Sequence, residues 1–123
     1  MILNTQTHDK LFSGPVDYVA TATIGASQDV QRGDLLEADP SKGAAAVFTR
    51  PAGAADPTMV HCIASKPIQT AADATALLPA YFAGYFNPDA MRFGGTTKAA
   101  DNEAVLMLGH IFLRTAINAQ PTV

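Results

Sequence analysis

Turn-forming residues interrupt this chain so often that long regular elements have little room. Glycine occurs nine times and proline eight in 123 residues. Between residues 16 and 64 they separate runs of strand length. Residues 17–24 (Asp-Tyr-Val-Ala-Thr-Ala-Thr-Ile) are rich in β-branched side chains and close to alternation, which predicts a strand, and Gly25 marks the turn after it. Residues 30–38 hold Gly33-Asp34 in an apolar setting, which predicts a tight turn leading into a strand. Asp39-Pro40-Ser41-Lys42-Gly43 is a turn, because proline fixes φ and glycine can take positive φ. Residues 44–50 then predict a strand, 51–57 a loop with its own Pro and Gly breakers, and 59–64 a short apolar strand. Strand, turn and strand at this spacing argue for a β-rich barrel or ribbon and against βαβ units.

The second half is more mixed. Helix formers at 69–78 are offset by Thr70 and Thr75, and Pro79 ends the stretch, so a helix is not favoured there. Residues 81–86 (Tyr-Phe-Ala-Gly-Tyr-Phe) predict a strand bent at Gly84. Asn87-Pro88-Asp89 places a capping Asn, a first-turn Pro and an acid in order, and Gly94-Gly95 stops that turn. Residues 99–108 predict a second short helix, capped by Asp101 or Asn102 and closed by Gly109; residues 110–117 return to strand and 118–123 form a tail. Residues 1–15 show no helical or strand period and read as an arm, mobile unless something ties it down. The expected organisation is therefore an arm over 1–15 and a single β-rich domain over 16–123, mainly β with one or two short helices.

Composition limits what such a domain can do. Apolar residues are 48% of the chain, but alanine supplies much of that and there is no Trp. Each Ala buries little area at roughly 25 cal/mol per Å², so added stability from partner subunits is expected. Charged residues are only 15%, the net charge is −3, and the eight cations are spread along the chain, so direct nucleic-acid binding is not expected. No apolar run suits a membrane-spanning helix, and residues 1–10 lack the basic and apolar regions of a signal peptide. Cys62 is alone, which excludes an intrachain disulfide and a cysteine metal cluster. The expectation is a soluble protein made in the cytoplasm, without a membrane partner.

The residues that carry chemistry are scattered. His8, His61 and His110 lie far apart and match no metal-binding spacing. His61 and Cys62 are adjacent on a strand and would point to opposite faces, so they form no thiolate pair. Of eleven acids, Asp29, Asp34, Asp39, Asp56, Asp89 and Asp101 fall at turns or caps, where backbone hydrogen bonds explain them. Arg32-Gly33-Asp34 spells an adhesion tripeptide, but its Gly-Asp step is explained as a turn. The aromatic cluster Tyr81, Phe82, Tyr85 and Phe86 reads as core or subunit interface. No catalytic, cofactor-binding or metal-ligating residue is expected, and an enzyme is not. An interaction protein remains, whose arm could order by adding a strand to a partner's sheet.

Residues 60–117 resemble the head decoration proteins of tailed bacteriophages, the lambda-type capsid-stabilising family. The likeness lies in the order of features: the apolar strand 60–64, the polar link 69–75, the aromatic strand 81–84, the aromatic and acidic segment 85–91, the short polar helix with Asp101 and Glu103, and a last strand ending Thr115-Ala116-Ile117. The resemblance implies a β-clip-like partial barrel with an extended N-terminal arm. It implies no cofactor, and a homotrimer at local threefold positions on the outside of the expanded head. There the arm would order against the major capsid protein and brace the shell against internal DNA pressure. The apolar residues in and after the arm, Leu3, Leu11, Phe12, Pro15 and Val16, are the expected capsid contacts. Deleting residues 1–15 is expected to abolish binding and leave the body folded.

Residues 24–36 also resemble small β-clip domains that bind sugars. In that alternative Arg32, Asp34, Tyr81 and Tyr85 would line a polar saccharide site.

Overall fold

The computed structural model of the chain describes residues 10–114. In chain order these form β1 (Phe12–Ile24), β2 (Asp29–Val30), β3 (Leu35–Ala38), β4 (Val60–Ala64), β5 (Ile68–Gln69), β6 (Ala76–Phe86), α1 (Ala99–Leu108) and β7 (Ile111–Leu113), with short 3-10 turns at Pro40–Ala45 and Pro88–Ala90. The protein is mainly β, a β-rich α+β fold built on antiparallel sheet. Its spine is β6. Along one edge β6 pairs with β1, from Phe12↔Phe86 to Ile24↔Ala76. Along the other edge it pairs first with β4 (Ala64↔Ala80, Ile63↔Tyr81) and then, in parallel, with β7 (Gly84↔Ile111 to Phe86↔Leu113). β3 pairs outside β4, and β2 with β5 form a separate two-stranded ribbon.

The β3–β4 pair is buried on both faces. Because strand side chains alternate, Leu36, Ala38, Cys62 and Ala64 enter one cluster with Ala22, Ile24, Val30, Phe48, Leu78 and Ala80. Leu35 and Ile63 point the other way, to Leu11, Phe86, Met91, Leu106, Ile111 and Leu113. This double burial is why Leu35-Leu36 and Cys62-Ile63-Ala64 show no polar alternation.

Several sequence expectations need correction. Part of the expected arm over 1–15 is sheet: β1 begins at Phe12, and Leu11 is 1% exposed in the core. The strand was hidden because its register shifts between Phe12 and Val16, between Val16 and Tyr18, and again before Val19, which breaks the alternation. Gly84 faces this irregular stretch at φ +143°, and a β-carbon there would strike the Pro15 carbonyl and the Val16 backbone. Residues 1–9 lie outside the described residues.

Pro79 does not end an element but sits inside β6. Its carbonyl accepts from Ser65 Oγ, on the edge that β4 has already left after Ala64↔Ala80. A strand residue turns its N and its C=O to the same edge, so the missing N–H of Pro79 faces no ladder partner. Residues 44–46 are not strand either. They close the 3-10 turn after Asp39 caps Ser41 N at 2.9 Å, and only Phe48 and Thr49 make bridges, to Ile24 and Glu37.

Both predicted helical segments after β6 are present in shortened or full form. Asn87 accepts from Asp89 N at 3.1 Å and opens the 3-10 turn. The Asp101 carboxylate accepts from Lys98 N at 2.8 Å and opens α1, which ends at Gly109. His110 is in the turn before β7, at φ +67°, and is not a strand residue. Residues 115–117, expected in the last strand, lie outside the described residues.

Candidate functional site

Asp34 follows Gly33 in the tight turn that leads into β3, and the fold carries it fully inside. Its carboxylate accepts from Gln31 N at 2.7 Å and from Arg92 Nε and Nη2 at 2.5 and 2.6 Å. Arg50 Nε lies 3.5 Å away. The fork-to-fork pairing holds the Arg92 guanidinium above its usual pKa and ties the turn to the segment after β6. Gly33 takes φ +91° against the Ala90 carbonyl, where a side chain would collide. The Arg32-Gly33-Asp34 tripeptide therefore does not project as a recognition loop, and Asp34 is closed to a ligand.

The residues of the saccharide alternative are not gathered. Arg32 donates to Ser65 O at 3.0 Å and lies over the Phe12 ring, which packs edge-on against Tyr81 at 5.1 Å. Tyr85 belongs to a different group, stacked on Phe112 at 5.0 Å with Arg114 above it. Of the aromatic quartet, Phe86 is core, Tyr81 packs against it at 5.9 Å, and Phe82 packs against Phe48 and Tyr18.

The expected capsid-contact residues divide. Leu3 lies outside the described residues. Leu11 is buried and not free to dock on another protein, and Phe12 is half-buried in an aromatic cluster with Tyr81 and Phe86. Val16 is half-buried against the same cluster, and Pro15 is exposed.

Two surface features remain. At one pole, Phe86 and Asn87 hold both ends of the described chain. Asn87 N donates to Leu11 O at 2.7 Å, Asn87 Nδ2 to Lys10 O at 3.0 Å, and Arg114 N to Phe86 O at 2.9 Å. Lys10 and Arg114, the ends of the described residues, are therefore both held at the end of β6.

Beyond the other end of β7 is an apolar groove of about 370 Å³. It is lined by Phe82 of β6, by Met59, Val60 and His61, and by Val105 and Leu108 of α1. Leu108 is 73% exposed and Val60 41%, and exposed Tyr18 lies against the Phe82 ring. Sequence reasoning missed this groove, although one signal was present. Residues 105–108 (Val-Leu-Met-Leu) are apolar around a full helical turn, more than one buried stripe needs.

The groove's polar edge is tightly built. His61 Nε2 lies 3.1 Å from Glu37 Oε1, and that oxygen also accepts from Asp56 N at 3.3 Å. Next to it Asn102, fully buried on α1, accepts from Ala55 N at 2.7 Å and donates to Lys98 O at 2.7 Å and Thr97 Oγ1 at 3.2 Å. Burial pushes the His61 pKa below its ordinary value against the pull of Glu37, and it pushes the Cys62 thiol upward. Cys62 is therefore a core side chain, unsuited to nucleophilic work.

Among the described residues no group of three or more His, Cys, Asp or Glu could hold a metal ion, and no helix is long and apolar enough to cross a membrane. No protein-family model matches this chain, and no curated protein matches it in sequence.

Proposed function

We propose that this chain is a capsid decoration protein. It binds the outside of an expanded phage head as a homotrimer at local threefold positions, against the major capsid protein, and stabilises the shell against internal DNA pressure. The order of sequence features from residue 60 to 117 suggests this reading. The observation that carries it further is the shared pole: Lys10 and Arg114, the ends of the described residues, are both held at the Phe86–Asn87 end of β6. A short segment anchored this way can add a strand to a partner's sheet without disturbing the core, and three such segments on one trimer bind multivalently.

The groove lies past the opposite end of β7 and has no Lys, Arg, Asp or Glu in its lining. That separation leaves the pole to the shell and gives the groove to a second copy, since an uncharged apolar surface fits its own kind better than a charged partner.

The docking residues are now Leu3 and the rest of 1–9 together with exposed Pro15, without Leu11 or Phe12. The deletion test changes accordingly: removing 1–15 would strip Leu11 from the core and Phe12 from the ring cluster packed against it, whereas removing 1–9 leaves the described body whole. The shortened chain should stay folded by circular dichroism and fail to pellet with expanded shells. Full binding by it would defeat the proposal.

A further inference from the structure

We propose that the contact between copies is heterologous: the apolar groove of one chain receives the bare face of the β1–β6 ribbon, carrying Leu77, of a second copy. This rests on the copy-to-copy reading of the groove above and names the surface that fills it. Register assigns that face. From Val19↔Tyr81 to Ile24↔Ala76 the ladder runs without a shift, and paired residues share a side of the sheet. Ala22, Ile24, Leu78 and Ala80 point into the small-residue cluster. Val19, Thr21, Thr23, Leu77 and Pro79 therefore point the other way. Tyr81, at one end of that side, packs against the larger cluster. Beyond it the face is bare: Leu77 is 69% exposed and Val19 54%, and Thr21 and Pro79 are exposed as well.

The groove is on the other side of the same strand. Phe82 projects with Leu78 and Ala80, packs against the small-residue cluster and lines the groove. A chain therefore cannot turn its own Leu77 into its own groove, and a second copy must supply it. Two different patches, one on each side of β6, also suit a closed ring. An isologous contact pairs a patch with itself and stops at two chains, while a heterologous one can close at three.

Charge points the same way. Residues 51–63 and 99–113, which supply all of the groove lining except Phe82, contain no Lys or Arg. Acids accompany them. Asp56 precedes Pro57 of the lining, Glu37 holds His61, and Asp101 lies one helical turn before Val105 on the same side of α1. The bare face has cations beside it instead. Ser65 Oγ donates to the Pro79 carbonyl, Arg32 Nε donates to the Ser65 carbonyl at 3.0 Å, and exposed Lys66 follows Ser65. The acids Asp17 and Asp73 fall in the chain beyond Val19 and Leu77, past the two ends of the face. An apolar face with a cationic border thus meets an apolar groove with an acidic border, and the bordering charges set the orientation.

The test follows the mass of the full chain by sedimentation as concentration rises, with circular dichroism as the check on folding. Leu77 and Leu108 are both largely exposed, so Leu77→Gln alters the bare face and Leu108→Gln the groove without opening either core. The parent should sediment as three chains, and each variant alone should associate at least about tenfold more weakly. Titrated against each other, the two variants should bind one to one and grow no further, because Leu77→Gln keeps its groove and Leu108→Gln its bare face. Lys66→Glu should weaken association by about two- to fivefold, more at low salt than at high. If Leu77→Gln alone assembles like the parent, the heterologous contact is overturned and the groove remains a copy-to-copy surface. Two variants that ignore each other in the mixture, or a Lys66→Glu chain that assembles at full strength in low salt, would overturn it in the same way. If Leu108→Gln assembles like the parent, or the parent stays monomeric up to about 1 mM, the copy-to-copy reading falls with it. Shell binding plays no part in these readouts.

Discussion

The two hydrophobic clusters on either side of the β3–β4 pair are built from different materials. One is made largely of small side chains, with Ala22, Ala38, Ala64, Ala80 and Cys62 among its ten buried members. The other rests on Leu11, Leu35, Ile63, Phe86, Met91, Leu106, Ile111 and Leu113, with half-buried Phe12 and Tyr81 packed against it. Burial stabilises in proportion to apolar area, so the second cluster contributes more per residue. The Asp34–Arg92 pair ties the turn before β3 to the segment that carries Met91. The small-residue cluster is flanked by Phe82, and beyond Phe82 lies the open groove with Tyr18. The lesson is a division of labour: one half of the body secures the fold, and the other lets strands approach closely and leaves apolar surface exposed.

That contrast can be broken by substitution. Phe86→Ala removes the largest fully buried side chain and should cost about 3–5 kcal/mol in urea unfolding, since the packed strands around it cannot collapse into the space. A loss below about 1 kcal/mol would show that this cluster does not carry the stability assigned to it. Arg92→Ala leaves the buried Asp34 carboxylate with only Gln31 N and the more distant Arg50. The expected cost is about 3 kcal/mol, at the low end for breaking a buried pair because Arg50 remains. An Arg92→Ala chain as stable as the parent would mean that the turn does not need its clasp. On the small-residue side the sensitive change is in the opposite direction. Ala80→Val adds volume between Ala20, which it faces across the β1–β6 ladder, and Ala64, and should cost about 1–2 kcal/mol by overpacking. If Ala80→Val stabilises the chain instead, the small cluster contains unfilled space and the comparison needs revising.

Legibility in the sequence followed the range of the interactions. α1 could be read because its signals are local: Asp101 in the first turn, Gly109 at the end and an unbroken run between them. β3 and β4 could be read as apolar strands, although their burial on two faces could not. β6 was read only from Tyr81 onward, since Pro79 looks like a terminator until the short reach of β4 is known. The first residues of β1 read as arm because three register shifts erase their period. The site was harder still. Asp34 was recognised as a turn residue, but its partner Arg92 is 58 positions away. Asn102 looked like a helix cap, whereas its side chain fastens a loop 47 positions earlier. The groove draws on residues near 60, 82 and 108, which no local pattern links.

The proposed decoration role is tested most directly by co-sedimentation with expanded, undecorated phage shells, comparing the full chain with one lacking residues 1–9. The account predicts saturable pelleting of the full chain in multiples of three per local threefold position, shells that then resist heat or loss of DNA, and no pelleting of the shortened chain. Failure of the full chain to pellet at high concentration would contradict it, and so would equal binding by both.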